Sequence, residues 1–294
     1  MFGRLAKRSP LANRTLQSHP HNRRRSNLSY HRIAGRFSKQ VEASGKPTFT
    51  ARTYLAPAGS YIGKADKGYE LVSLTGESVE LDSSRLGSFE QQPLTTPSRF
   101  IQPRRINYTL DGTQQAWDMV QSFPSVAVAL YHSDIDAAIL VRQFRPAVYA
   151  SKLIEEEAKG ADGDSNLPYS AGFTYELCAG LADKEGCTVQ EVAREEILEE
   201  CGFDVPLYSV EKITSYVSAI GISGSRQSLF FAQVDETMRK GLGGGLAADG
   251  EAIQVMALPM DQVDAFIADE ACPKSAGLMW GLLYLKSRRI SNQV

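Results

Sequence analysis

Five glutamates, Glu191, Glu195, Glu196, Glu199 and Glu200, crowd the stretch from Val189 to Cys201. At about 100° per residue, Glu196, Glu199 and Glu200 share a helix face with Val189, Val192 and Ala193. Glu191, Arg194 and Glu195 fall on the opposite face. A solvated acidic helix accounts for Glu191 and Glu195, but it accounts poorly for three carboxylates that extend an apolar stripe. Like charges at i, i+3 and i+4 repel by about 0.2–0.5 kcal/mol per pair on an exposed helix, and partial burial adds a desolvation cost. A divalent cation relieves both. Carboxylate oxygens suit Mg²⁺, which takes a few carboxylates, some water and the phosphate oxygens of a substrate.

The elements that must hold these residues are legible around them. A strand-like run, Phe173 to Cys178, leads into a loop containing Gly180 and Gly186. A helix is expected from about Val189 to Cys201. Thr188 has the character of an N-cap, with Glu191 at capping-box spacing, and Gly202 is the stop.

The segment resembles the signature of the Nudix hydrolases, G-x5-E-x7-R-E-U-x-E-E-x-G-U, where U is bulky and apolar. Gly180 matches the first glycine, and Glu196-Ile197-Leu198-Glu199-Glu200-Cys201-Gly202-Phe203 matches the end residue for residue. One extra residue separates the two parts. The signature arginine falls on Glu195, with Arg194 beside it. The early glutamate falls near Gly186 and Cys187, with Glu185 the nearest acid. The departures fall on positions that mostly orient loop and helix in that family; the metal-side glutamates are intact. Three runs, Val141 to Tyr149, Glu176 to Leu181 and Gly221 to Gln227, resemble the UDP-sugar diphosphatase branch, relatives of the ADP-ribose diphosphatases. The similarity covers about Arg99 to Arg289.

The resemblance implies an α+β Nudix fold, a mixed sheet between helices (α/β/α), and Mg²⁺-dependent cleavage of a pyrophosphate bond, with Mn²⁺ as a substitute. UDP-glucose is the expected substrate; ADP-ribose is the alternative, and a nucleotide-sugar-binding module without catalysis is a second one. Glu196 and Glu200 are the expected metal ligands, joined by the backbone carbonyl of Ala179. Glu199 is a further ligand or a partner of one. Glu251, on a loop after the signature, is the candidate general base or further ligand, ahead of Asp249. Arg142 and Arg145 carry the guanidinium fork that fits phosphate oxygens; a salt bridge at a strand edge is the ordinary alternative. Glu176 is placed to orient Arg145 or the nucleoside. Gly224 lets its loop approach a ligand closely, and Arg226 follows it. Relatives are commonly homodimers, so a homodimer through about Phe100 to Val120, with Trp117, is expected.

Farther out, Ile101 to Leu110 and Gln114 to Val120 read as a hairpin around Asp111-Gly112. Val126 to Tyr131, Ala137 to Val141, Val210 to Ala219, Ser228 to Val234 and Ile253 to Leu258 read as strands. Gln143 to Tyr149 follows the second of these, with Arg142 and Arg145 at its start, and residues 155–172 read as loop. Arg239 to Gly250 is Gly-rich and is expected to be mobile. Met260 to Ala268 and Ser275 to Arg288 read as helices. The main domain is expected over 99–290. Residues 42–98 read as linker or a partly ordered extension, with Tyr69 to Leu74 as a strand at the domain edge.

Charge is uneven. The chain has a net charge of −2, yet residues 1–41 hold ten Lys and Arg and no acid, which leaves −12 on the rest. An acidic body argues against nucleic-acid binding. Arg-rich, Ser-containing and acid-free composition predicts a mitochondrial transit peptide over 1–41, and otherwise a disordered basic tail on a cytoplasmic protein. No apolar run is long enough for membrane insertion. Cys178, Cys187, Cys201 and Cys272 form no CxxC pair and are expected as free thiols. His132 reads as a strand-end residue rather than a catalyst.

Overall fold

The strand Ser125–His132 alternates two sets of apolar side chains, and that alternation builds both faces of the molecule. Val126, Val128 and Leu130 point one way; Ala127, Ala129 and Tyr131 point the other. The computed structural model describes residues 61–75, 88–98, 100–159 and 167–291. The basic stretch 1–41 lies outside them.

Eleven strands occur among the described residues: β1 (Tyr61–Lys64), β2 (Tyr69–Ser73), β3 (Ile101–Leu110), β4 (Thr113–Ser122), β5 (Ser125–His132), β6 (Ala137–Phe144), β7 (Phe173–Glu176), β8 (Cys178–Leu181), β9 (Glu211–Val217), β10 (Arg226–Val234) and β11 (Gln254–Pro259). Four helices join them: α1 (Pro146–Ala158), α2 (Val189–Cys201), α3 (Val263–Ala268) and α4 (Ala276–Ile290). Nine strands form one mixed sheet in the order β1-β2-β11-β6-β5-β10-β9, with β7 added to β6 and β8 to β5. The β5–β10 pair is parallel. Helix α2 covers one face, setting Val192, Ala193, Ile197 and Cys201 against Val126, Val128 and Leu130. Helices α3 and α4 cover the other with Val263, Phe266, Leu278, Leu282 and Leu285. Each such fully buried side chain contributes about 1.5–3 kcal/mol of transfer free energy. The result is α+β, with a mixed sheet between helices.

Strands β5 and β6 pair directly from Leu130↔Ile139 to His132↔Ala137. Beyond that they part, and the segment Phe173–Leu181 fills the fork. There β7 pairs β6, from Phe144↔Phe173 to Val141↔Glu176, and β8 pairs β5, from Val128↔Cys178 to Ser125↔Leu181. The fork carries the start of the signature into the middle of the sheet.

Two expectations are corrected. The chain is helical from Pro146 to Ala158, and the end of this helix lies inside the stretch 155–172 read as loop. Proline at the first helical position suits its fixed φ and missing N–H, and Tyr149 anchors the helix by burial. The Gly-rich segment expected to be mobile is instead hydrogen-bonded across the end of α2, as the site shows.

Strands β3 and β4 stand apart as a two-stranded sheet. Asp111 (φ 51°) and Gly112 (φ 77°) make the tight turn that suits the twist of a hairpin. Among the described residues it is tied to the turn between β9 and β10 by Val120 N–H to Ile222 O at 2.8 Å and Trp117 Nε1 to Gly221 O at 3.0 Å, with the Ser122 and Ser223 hydroxyls 2.9 Å apart.

Candidate active site

Helix α2 starts where expected. The Thr188 side chain accepts from the Glu191 N–H, and the Glu191 side chain accepts from the Thr188 N–H, a complete capping box. The helix ends at Gly202 in the left-handed region, φ 79°. Between these ends, Ile197 and Cys201 are buried in the core, which fixes the rotation of the helix. That rotation turns Glu196 and Glu200 toward β8.

Glu200 is 3% exposed. Its Oε2 accepts from the Ala179 N–H at 2.9 Å. Burial raises its pKa to about 8, assisted by the charges of Glu196 and Glu251 and opposed by the Ala179 N–H and by Cys178. Glu196 is pushed up to about 7, by burial first and then by Glu199, with Lys184 acting in the opposite sense. The Glu196 carboxylate sits over Gly180: a Cβ there would lie 1.9 Å from Glu196 Oε1. Gly180 is therefore required by close approach. Beneath the pair, Cys178 and Cys201 are buried free thiols, and burial raises the Cys178 pKa, with Cys201 beside it.

The Gly-rich loop after β10 brings in the remaining acid. Lys240 and Gly241 N–H groups reach the Gly202 carbonyl at 2.8 and 3.2 Å. Gly244 and Gly245 N–H groups cap the Glu200 and Glu199 carbonyls at 2.9 and 3.1 Å. These carbonyls have no partner within the helix, so the loop completes the helix end. Gly243 (φ 72°) makes the approach possible: a Cβ there would lie 2.2 Å from the Glu200 carbonyl oxygen. The loop then turns at Leu246, whose N–H donates to Glu251 Oε2 at 2.8 Å. Glu251 is thereby held where its charge reaches Glu196, Glu200 and Arg145.

Arg145 donates through Nε and Nη2 to both oxygens of Glu176, each at 2.7 Å, and Thr174 Oγ1 donates to Glu176 Oε1 at 2.6 Å. Burial alone would raise the Glu176 pKa; the bonds from Arg145 and Thr174 hold it below the ordinary value. The bond to Glu176 raises the Arg145 pKa against the cost of burial, and Glu200 and Glu251 raise it further. Arg142 goes elsewhere. Strand parity puts it on the Tyr175 side of the sheet, over the Phe173 ring at 4.3 Å, donating to Gln254 Oε1 at 2.6 Å. Gly224 (φ 65°) closes the turn before Arg226, which is exposed at the start of β10. That turn adjoins the hairpin and the end of β5 that pairs with β8.

The structure thus groups Glu196, Glu199, Glu200, Ala179, Glu251, Arg145 and Glu176 around the β7–β8 fork. It sets Gly224 and Arg226 at one side and Arg142 on the opposite face. Among the described residues no three His, Cys, Asp or Glu side chains close on one point as a finished metal cage. The donor set nonetheless fits a hard divalent cation: clustered carboxylates, a buried one among them, above a glycine that leaves room for an oxygen.

Uridine diphosphate glucose pyrophosphatase NUDT14 of Bos taurus is 39% identical to this chain over 199 residues, 65% of the chain and 90% of that protein. The Mus musculus protein of the same name is 35% identical over 205 residues, 66% of the chain and 92% of that protein. The chain belongs to the Nudix hydrolase family. GDP-mannose pyrophosphatase of Pectobacterium atrosepticum is 32% identical over 143 residues, 48% of this chain and 62% of that protein. No family model matches the chain. Nudix pyrophosphatases as a group depend on a divalent metal, in keeping with the donor set. Two parts of this Nudix site escaped the reading of the sequence. One is the cap from Gly241–Gly245, signalled by four glycines in five residues. The other is Lys184, signalled by the acid that replaces the signature arginine.

Proposed function

We propose that the chain hydrolyses the pyrophosphate bond of a nucleoside diphosphate sugar, and that UDP-glucose, giving UMP and glucose 1-phosphate, is its preferred substrate. The observation that carries this reading is the buried Glu200, pinned by the Ala179 N–H beside Glu196 and within the field of Arg145 and Glu251. The names of the relatives at 39% and 35% identity support the choice of nucleotide sugar.

In this reading Glu196, Glu200 and the Ala179 carbonyl hold Mg²⁺, or Mn²⁺ in its place. When bound, the cation offsets phosphate charge and lowers the pKa of a water. Glu251, held by the Leu246 N–H, accepts the proton of the attacking water. Glu199 completes the carboxylate set. Arg145, its direction fixed by Glu176, faces the anionic substrate with a guanidinium that suits phosphate oxygens. Gly224 and Arg226 border the same end of the sheet and line the sugar or nucleoside side.

Product analysis with Mg²⁺ on UDP-glucose, ADP-ribose, GDP-mannose and other nucleotide sugars tests the assignment. The expected result is nucleoside monophosphate plus sugar phosphate, with the highest kcat/KM on UDP-glucose. A higher value on another sugar nucleotide overturns the substrate, and binding without any turnover overturns the activity.

A homodimer belongs to the same proposal. One face of the hairpin sets Ile106, Tyr108, Leu110 and Trp117 in exposed positions. A two-stranded ribbon without a third strand or a helix against it is marginal in water, so a second copy is the proposed cover.

A further inference from the structure

The loop between β8 and α2 leaves Gly180 beneath the Glu196 carboxylate and ends at the Thr188 cap. From Asp183 to Thr188 every residue is exposed, so apolar packing does not set its path. The Ala182 N–H reaches the Pro124 carbonyl at 2.9 Å at one end, and the capping box holds the other. Between these anchors stands Lys184. Its Nζ donates to Glu195 Oε2 at 2.6 Å and lies 3.7 Å from Glu199 Oε1. The bond to Glu195 raises the Lys184 pKa.

The sequence adds an independent observation. The family pattern has an acid early in this loop and an arginine where this chain has Glu195. Here the arginine position is acidic, and the one basic residue of the loop, Lys184, between Asp183 and Glu185, pairs with it. Arg194 does not stand in for the missing arginine, since it turns away to the Val205 carbonyl and Asp204, both at 2.7 Å.

We infer that Lys184 and Glu195 form a tether that holds the Asp183–Thr188 loop against α2, and so supports the approach of Glu196 and Glu200 to Ala179 and Gly180, which β8 places. Lys184 also steers the Glu199 carboxylate. Both are positioning residues, and the inference rests on reading Glu196 and Glu200 as the metal-holding pair.

A charge swap tests it. Lys184→Glu, Glu195→Lys and the double variant are compared by amide exchange of residues 180–188, in chelator and with Mg²⁺, and by kcat and its Mg²⁺ dependence. A tether makes both single reversals move the same way. Exchange of the loop in chelator speeds up about fivefold, as expected for loss of one good exposed ion pair, and kcat falls. The double variant returns both to within about twofold of the parent protein. Should a reversal fail to fold, Lys184→Gln and Glu195→Gln carry the same comparison, each expected to speed exchange about twofold. A mere field effect overturns the inference: the two single reversals would shift the Mg²⁺ half-saturation in opposite directions and leave loop exchange unchanged. The underlying reading fails separately, if Mg²⁺ gives the parent protein no protection around residues 179–200.

Discussion

Glu200 concentrates the chemistry of the site in one side chain. It is buried, it is pinned by the Ala179 N–H, and its neighbours Glu196 and Glu251 are also acids. Glu200→Gln keeps the volume and an oxygen for the Ala179 N–H while removing the ligand charge. Turnover should fall by more than about 100-fold, beyond the cost of losing an outer partner of a ligand, with the melting temperature preserved. Turnover at the parent rate would remove Glu200 from the metal site. The same burial sets a pH dependence. Glu196 and Glu200 titrate near 7 and 8 in the folded chain, against 4.5 ordinarily. Between those values the folded state binds more protons than the unfolded one, so stability falls as pH rises from about 4.5 through about 8. In chelator, thermal melts should show that fall, and Glu200→Gln should flatten it. Added Mg²⁺ should stabilise more at pH 8.5 than at pH 6, because its ligands must lose their protons. An equal Mg²⁺ shift at both values would contradict the assignment.

Elements divide the labour in a way that no single residue shows. The fork of β7 and β8 sets Glu176 and Ala179 on neighbouring ladders, α2 supplies the glutamates, and the Gly241–Gly245 loop finishes the helix and delivers Glu251. The hairpin of β3 and β4 serves none of these directly. Its open apolar face and its link to the Gly221–Ser223 turn suit it to a partner subunit. Ile106→Glu places a charge in the middle of that face. Light scattering at micromolar concentration should read a dimer for the parent chain and a monomer for the variant. A monomeric parent would end the proposal.

At the scale of the molecule, charge separates the first 41 residues from the rest, ten basic groups ahead of a body at −12. The proposed role of that stretch is an address to mitochondria. The site described above draws on residues from Arg145 to Glu251, and the basic stretch lies outside the described residues. On its composition, ten basic groups and no acid, deleting 1–41 should leave hydrolysis and melting of the purified chain nearly unchanged, and should move a fluorescent fusion from mitochondria to cytosol. A full-length fusion diffuse in the cytosol defeats the address. A large loss of activity on deletion would mean that the basic arm reaches the anionic substrate or the acidic body.

Local rules made part of this protein legible without coordinates. The Thr188–Glu191 box, the Gly202 stop and the 3.6-residue period define α2, because caps and helical periodicity are fixed by near neighbours. The Asp111-Gly112 turn needs positive φ at adjacent residues, so it too announces itself. Period-two alternation marked β5 and β10. The helix from Pro146 was less legible: the apolar stretch before it reads as strand, and that strand runs on to Phe144, the last residue it pairs with β7. The two arginines show the limit most clearly. Arg142 and Arg145 have the same chemistry and stand three residues apart. Strand parity and the start of α1 send one to Phe173 and Gln254 and the other to Glu176 and the carboxylates. Side-chain type states what a residue is able to bind. Which neighbours it meets depends on pairings such as Val141↔Glu176 and on contacts such as Lys184 to Glu195, which join residues far apart along the chain or on separate elements, and these exist only once the sheet and its helices have packed.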